Sequence, residues 1–321
     1  MKREFRALSI ALLAVALAAP ACNKSGGQDN PGPEEPDYER ALPDVETLAA
    51  GADVIKTVSS SKTISIADGV SETDLSVTLT NGFKENIFIV TADLRRPDIF
   101  ARVAVSSNMS SIPTGGWPRQ TLSRMAGYIE DSQNSVLAMI NADFWNTSTF
   151  IPRGPVHCDG FVMNSKFDPM SNKQGITFVS CSSEDEMNID FSASYTTASY
   201  DLPNVTGSGS MLVLDGEIAD NSWASADDRH PRTAIGYSDD GFVFFFCVDG
   251  RDAGVSEGMH YDEMGSILKA IGCVRAVNLD GGGSTQMLAR NPSSSALEIR
   301  NKPSDGSERA VVNAWAIMKK L

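Results

Sequence analysis

Short strand-like segments dominate the hydrophobic pattern of this chain, and helical spacing is scarce. Asn86 to Leu94 and Phe100 to Val105 are β-branched and alternate apolar with polar residues, as half-buried strands do, with Arg95-Arg96-Pro97-Asp98 between them. Phe242 to Val248 reads Phe-Val-Phe-Phe-Phe-Cys-Val, an almost unbroken apolar run that predicts a buried strand, and Val274 to Leu279 predicts a second, shorter one. Asp68-Gly69, Asn81-Gly82, Asp159-Gly160, Asp215-Gly216 and Asp240-Gly241 are pairs that tolerate positive φ, so they predict hairpin turns where apolar residues flank them.

Two segments carry a helical period. Between Pro118 and Ile129, the residues Leu122, Met125, Ala126 and Ile129 fall on one face; between Tyr261 and Ile271, the residues Met264, Ile267, Leu268 and Ile271 do the same, with Gly272 as a stop. No repeat of fixed period is visible, which removes a propeller or solenoid. The expectation is an α+β fold, a strand-rich mixed sheet with a few packed helices, over residues 86–321, preceded by an N-terminal appendage over 45–85.

The first twenty-two residues read differently. Lys2, Arg3 and Arg6 precede an apolar run from Ala7 to Ala19, and the segment closes on Ala21-Cys22, the layout of a signal peptide. The run is short for a membrane span, and no later stretch approaches the roughly 20 apolar residues a spanning helix needs. Cys22 follows small residues and precedes a polar Gly, Pro and Glu stretch, which suits a lipidated cysteine; the alternative is cleavage nearby with Cys22 left as a spare thiol. Residues 23–44 have too little apolar surface to fold and predict a flexible linker. Together these features predict an exported protein, anchored in the bacterial cell envelope and touching the membrane only through its lipid.

Charge and cysteine content narrow the chemistry. The chain has a formal net charge of −14, and residues 1–21 contribute more basic than acidic groups, so the exported part is more acidic still. Nucleic acid is an unfavourable partner for such a surface, because phosphate-backbone binding needs a basic footprint. A small anion remains compatible, since a few arginines create a local positive site. Besides Cys22 there are Cys158, Cys181, Cys247 and Cys273, with no CxxC pair, and His157, His230 and His260 lack zinc-ligand spacing. No metal and no cofactor is expected; buried free thiols, or one bridge such as Cys158 to Cys181, are.

The densest chemical signal lies between Arg232 and Thr285. The strand Phe242 to Val248 delivers Asp249-Gly250-Arg251 at its end, and Val274 to Leu279 delivers Asp280-Gly281-Gly282-Gly283-Ser284-Thr285. Three glycines remove every Cβ from the loop, which predicts a backbone nest for an anion or sugar oxygen, with Ser284 and Thr285 as hydroxyl groups beside it. A tight connection between strands is the plainer reading of such a loop. The P-loop pattern is excluded, because its Lys is absent and the spacing differs. Arg232 and Arg251 suit a phosphoryl group, as planar guanidinium forks do, or salt bridges to the many acids. Glu263, on the first turn of the second helix, suits catalysis or simple complementation of the helix dipole.

Five segments in order resemble the phosphodiester glycosidase family: Ala138 to Trp145 (Ala-Met-Ile-Asn-Ala-Asp-Phe-Trp), Pro152-Arg153-Gly154, Arg232 to Gly236, Asp249 to Met259 with Glu263, and Asn278 to Thr285 with Arg309 to Asn313. The family usually has two glycines before the aromatic pair of the first segment, where this chain has Ala142-Asp143, an extra carboxylate. The resemblance implies a hydrolase that cleaves a sugar 1-phosphodiester at the anomeric carbon, releasing free sugar and a phosphomonoester. A phosphomonoester is a good leaving group, so the site needs chiefly to hold phosphate and to supply a carboxylate to water or to the anomeric centre. On this reading Asp280 is the first catalytic candidate, with Asp249 or Glu263 as its partner. Asn141, Arg232, Arg251, Ser256, Asn278, Gly281, Gly282, Gly283, Ser284 and Thr285 are the substrate-binding candidates, with Asn313 a weaker one; Phe144 and Trp145 could stack on a sugar ring. The partner is then a small glycosyl phosphodiester or a phosphate-bearing glycan. The alternative is a non-catalytic glycan-binding surface lipoprotein that keeps the fold.

Overall fold

The structure, a computed structural model, describes residues 40–108, 116–169, 176–195, 202–221 and 229–321. The predicted signal peptide, Cys22 and the linker up to residue 39 lie outside them. Three helices are α1 (Val45–Ala50), α2 (Leu122–Ile129) and α3 (Tyr261–Ala270). The strands, in chain order, are β1 (Ile55–Ala67), β2 (Val70–Leu79), β3 (Lys84–Asp93), β4 (Ile99–Val105), β5 (Asn134–Asn141), β6 (Val156–Cys158), β7 (Phe161–Asn164), β8 (Thr177–Cys181) and β9 (Met187–Phe191). They continue with β10 (Asn204–Ser208), β11 (Met211–Leu214), β12 (Glu217–Ile218), β13 (Arg232–Tyr237), β14 (Phe242–Val248), β15 (Arg275–Asn278), β16 (Met287–Arg290), β17 (Leu297–Ile299) and β18 (Asn313–Lys320).

An eight-stranded sheet runs β1-β2-β3-β14-β13-β15-β11-β12, and two five-stranded sheets run β17-β16-β5-β18-β4 and β7-β6-β10-β8-β9. The apolar run of β14 is explained by burial on both faces. Phe244, Phe246 and Val248 share a core with Val45 and Ala49 of α1 and with Met264, Ile267 and Leu268 of α3. Val243, Phe245 and Cys247 point the other way, into a core with Ile140, Trp315 and Ile317 of the second sheet. The outer face of that second sheet, through Met139, Ala314, Ala316 and Met318, takes Leu122, Met125, Ala126 and Ile129 of α2. The layers are thus helix, sheet, sheet, helix, with alternation hidden wherever a strand lies inside the stack. Strand residues far outnumber helical ones and the strand pairings of the described residues are antiparallel, so the expected α+β class holds with the balance well toward strands, while the expected mixed sheet is replaced by antiparallel ones.

All five Asx-Gly pairs sit in tight connections between paired neighbours. In two of them both residues have positive φ, Asp159 (49°) with Gly160 (80°) and Asp215 (52°) with Gly216 (78°). That is the mirror-image turn whose twist matches a hairpin. The helix expected from Pro118 begins at Leu122, because the side chain of Thr121 caps it by accepting the Arg124 N–H. The expected appendage over 45–85 is not separate: β1 pairs with β2 along its length and β2 with β3, so this segment builds one edge of the large sheet. Its outer strand is mostly exposed and polar, which hid its membership.

Cys158, Cys181, Cys247 and Cys273 are buried free thiols. Cys158 lies on β6 and Cys181 on β8, and β10 runs between them. Two strand spacings, roughly 9–10 Å, exceed the reach of a disulfide.

Candidate active site

Antiparallel pairing brings the sequence signals to one edge. Arg232 opens β13 opposite Val248, the last residue of β14, and Ala234 pairs with Asn278, the last residue of β15. Asp249 and Asp280 therefore emerge beside Arg232. Asn141, at the end of β5 in the second sheet, donates from Nδ2 to the Asp280 carbonyl at 2.6 Å and accepts at Oδ1 from Thr233 Oγ1 (2.8 Å) and the Gln286 N–H (3.1 Å). Its amide is used in holding the loop, so the expected substrate contact is replaced by a positioning role.

The glycine loop is not a backbone nest. The Gly281 N–H donates to Asp280 Oδ1 (3.0 Å) and the Gly282 N–H to the Pro231 carbonyl (2.8 Å). The amides of Ser284 and Thr285 donate to the carbonyls of Gly281 and Gly282, at 3.2 Å each. What the glycines provide is room for cations. A Cβ on Gly282, which has φ of 63°, would stand 2.9 Å from Arg251 Nη2, and one on Gly283 would overlap the Arg309 guanidinium and the Asp305 carboxylate.

Arg309, to which the sequence pattern gave no role of its own, is thus a principal cation of the site. It donates from Nη1 to Ser284 Oγ (3.3 Å) and pairs with Asp305 through Nε (2.7 Å) and Nη2 (2.6 Å). The Arg251 side chain is exposed and makes no hydrogen bond or ion pair among the described residues, which leaves its fork open to an anion. Arg232 turns elsewhere: its Nε donates to the Met259 carbonyl (3.1 Å), its Nη1 to Tyr261 Oη (3.3 Å), and its guanidinium lies over the Tyr261 ring. Its aliphatic stem borders Gly281.

The carboxylates divide in the same way. Burial pushes Asp280 up to about 6, against the opposing pull of the Ser284 hydroxyl, the Gly281 N–H and the Arg309 charge. Asp143 is almost fully buried and is pushed higher, to about 8, by burial and, more weakly, by the nearby Asp280 charge, while the Gly154 N–H opposes the rise. Its Oδ2 accepts that N–H at 2.9 Å, and its Oδ1 has no partner in the protein. Asp249 faces an adjoining cavity of about 240 Å³ bordered by Arg251, Asp252 and Lys302. Burial raises it to about 6, against the Lys302 N–H and the Asn301 amide, which both donate to Oδ1.

Glu263 and Ser256 leave the candidate site. Both Glu263 oxygens are occupied: Oε1 by Asn81 Nδ2 (2.7 Å) and Arg229 Nη1 (2.9 Å), Oε2 by Arg229 Nη2 (2.8 Å) and the His260 N–H (2.9 Å). Arg229 also pairs with the buried Glu85 at 3.1 Å. Ser256 Oγ lies 3.0 Å from both Glu85 Oε2 and the Asp249 carbonyl and accepts the Asn86 N–H. This buried ionic network locks the β2–β3 hairpin to α3 and to the segment before β13. Nothing in the local sequence of Glu85 or Arg229 announced it.

Several candidates do keep unused polar atoms. Asn278 Oδ1 and Nδ2, Thr285 Oγ1 and Asn313 Nδ2 are buried without a hydrogen-bond partner in the protein. Left so, each such atom costs about 1–3 kcal/mol, so a cluster of them marks a place built for a ligand or ordered water. Among the described residues no group of His, Cys, Asp and Glu is arranged to hold a metal ion.

Residues 134–318 match the phosphodiester glycosidase family. The chain belongs to that family. The match takes in Asn141, Asp143, the arginines, Asp249 and the whole glycine loop. SPbeta prophage-derived uncharacterized protein YomE of Bacillus subtilis (strain 168) is 41% identical over 96 residues, which are 30% of this chain and 14% of that protein. The chain therefore spans only a small part of that relative. The fold is similar to that of a hypothetical protein from Synechocystis, with a TM-score of 0.61 at 16% identity over 81% of this chain and 64% of that one. It is also similar to the zebrafish N-acetylglucosamine-1-phosphodiester alpha-N-acetylglucosaminidase catalytic domain, auto-inhibited by its pro-peptide, with a TM-score of 0.56 at 17% identity over 84% and 92% of the two chains. At such identities the likeness speaks for the fold of this family member and leaves its substrate to its own residues.

Proposed function

We propose that this protein hydrolyses a sugar 1-phosphodiester at the anomeric carbon, releasing free sugar and a phosphomonoester. One observation carries the reading. The Ser284 hydroxyl serves both Asp280 and Arg309, so a carboxyl group and a phosphate-binding guanidinium stand one hydroxyl apart at a glycine loop cleared of side chains. An anomeric carbon and its phosphate are one oxygen apart and call for that pairing.

Arg251 and Arg309 hold the phosphate and stabilise the charge that accumulates on the leaving group as the bond to the anomeric carbon lengthens. Asp280, raised only to about 6, is mostly ionised near neutrality and supplies the carboxylate that works at the anomeric carbon. Asp249, on the far side of Arg251, borders the space for the group beyond the phosphate. The predicted lipid at Cys22 would keep this chemistry at the surface of the cell envelope.

Product analysis tests the proposal. Incubation with UDP-N-acetylglucosamine is expected to give free N-acetylglucosamine, lost in Asp280→Asn. Release of sugar 1-phosphate would assign P–O cleavage instead, and saturable binding of such diesters without turnover would favour the glycan-binding alternative.

A further inference from the structure

The cluster of unpartnered polar atoms has a definite floor. Gly207 and Gly209 stand two residues apart at the end of β10, and both are bare where neighbours press in. A Cβ on Gly207 would lie 2.6 and 2.8 Å from the two Asp143 oxygens. One on Gly209 would lie 2.8 Å from the Phe144 ring and 3.3 Å from Asn278 Nδ2. Asn313 joins from β18, accepting the Asp143 N–H at Oδ1 (2.8 Å) and leaving Nδ2 unused. Ser210, whose carbonyl accepts the Asn278 N–H at 2.9 Å, contributes a buried, unpartnered Oγ. A carboxyl, two amides and an aromatic edge thus gather around these two close-packed glycines, with Ser210 the next residue along the chain. Asn278 lies on the strand leading into Asp280, and the arginines lie against the loop leading out of it.

Resting on the proposed hydrolase reading, we infer that Asp143, Asn278, Asn313 and Ser210 form the subsite that grips the polar substituents of the sugar ring, and that this subsite admits a neutral sugar and rejects an acidic one. The groups offer donors and acceptors for hydroxyl or acetamido substituents and a ring edge for the apolar face of a pyranose. None of the four is a cation, and the ionised Asp280, whose charge reaches Asp143, confronts any carboxylate on the sugar. A uronate would be buried beside the Asp280 charge with no positive partner among the four groups. At neutral pH the elevated Asp143 is itself a donor, in keeping with a role toward sugar oxygens.

The test compares UDP-N-acetylglucosamine, UDP-glucose and UDP-glucuronate, which share both phosphates and differ in the sugar. The wild-type chain is expected to favour a neutral sugar over glucuronate by about 100-fold or more in kcat/KM. Asp143→Ala and Asn278→Ala should lower kcat/KM on the neutral sugars by about 10-fold or more, and Asp143→Asn, which keeps a neutral donor of the same shape, should recover most of the loss seen in Asp143→Ala. Equal turnover of glucuronate would overturn the inference. So would alanine variants that melt earlier yet keep the wild-type ratio between sugars, which would make the cluster an internal water network. If the wild-type turns over none of the three, the hydrolase reading fails and the subsite is read separately, by saturation-transfer NMR with methyl α-glycosides of N-acetylglucosamine and glucuronic acid. Signals from the neutral glycoside alone, lost in Asp143→Ala, uphold the subsite; equal signals or none sink it.

Discussion

Arg309 occupies the space that a side chain on Gly283 would need. The overlap involves the guanidinium and the Asp305 carboxylate that holds it, so it falls on an ion pair rather than on rigid backbone. Gly283→Ala should therefore fold and yet displace Arg309 from Ser284. We expect kcat/KM on a sugar 1-phosphodiester to fall by about 10- to 100-fold with a near-native circular dichroism spectrum. Activity within twofold of wild type would remove Arg309 from the phosphate site.

In the proposed reaction Arg251 and Arg309 hold phosphate by their forks. Replacing either by lysine keeps the charge and loses the planar donor pair, so Arg309→Lys and Arg251→Lys should each lose about 10-fold or more in kcat/KM. Arg232→Lys should chiefly affect stability, because its guanidinium serves Tyr261 and the Met259 carbonyl. Steady-state kinetics paired with melting curves separates the two classes.

The pH dependence of stability follows from the buried carboxyls. Asp143 (about 8), Asp280 (about 6) and Asp249 (about 6) all lie above the ordinary aspartate value of 3.8, so the folded state holds protons that the unfolded state has released. Stability is then greatest at the acid end of this range and is lost as pH rises from about 4 toward each folded value, with Asp143 still contributing up to about 8. Melting temperature should accordingly fall between pH 5 and pH 8, and Asp143→Asn should flatten the upper part of that slope. A melting temperature that rises steadily from pH 5 to pH 8 in wild type would contradict these environments. Activity should move the other way at its acid limb, appearing as Asp280 ionises near pH 6.

Glu263 is bound on every side by Asn81, Arg229 and the His260 N–H. Breaking a buried ion pair from one side leaves an uncompensated charge, so Glu263→Ala should destabilise the protein by about 3–5 kcal/mol. Per folded molecule, kcat should change little. Denaturant titration alongside active-fraction kinetics checks this; a large kcat loss at unchanged stability would restore Glu263 to the catalytic group.

Much of the local architecture is legible in the amino-acid sequence. The Asx-Gly pairs announce hairpins because positive φ is a property of those residues themselves, and β14 announces its burial because both of its faces must be apolar. The family segments around Asn141, Asp249 and Asp280 are likewise readable as residues in order. The outer strand β1 is not, because an exposed edge strand carries no apolar alternation to betray it.

The residues capable of chemistry can be named from the chain alone: the carboxylates, the arginines and a loop without side chains. Which of them stay available to a substrate is set by the fold, since that depends on what else reaches the same space. Four of the loop's amides find acceptors within the protein, so its glycines serve to admit Arg251 and Arg309 rather than to form a nest. Glu263 and Ser256 are claimed by Arg229 and Glu85, partners far away along the chain. Asp143 gains its weight from Gly154 and Gly207, which let a carboxyl be buried against bare backbone with one oxygen still unused. A residue's type sets what it can donate or accept; its free valence is fixed only when the fold has assigned its neighbours.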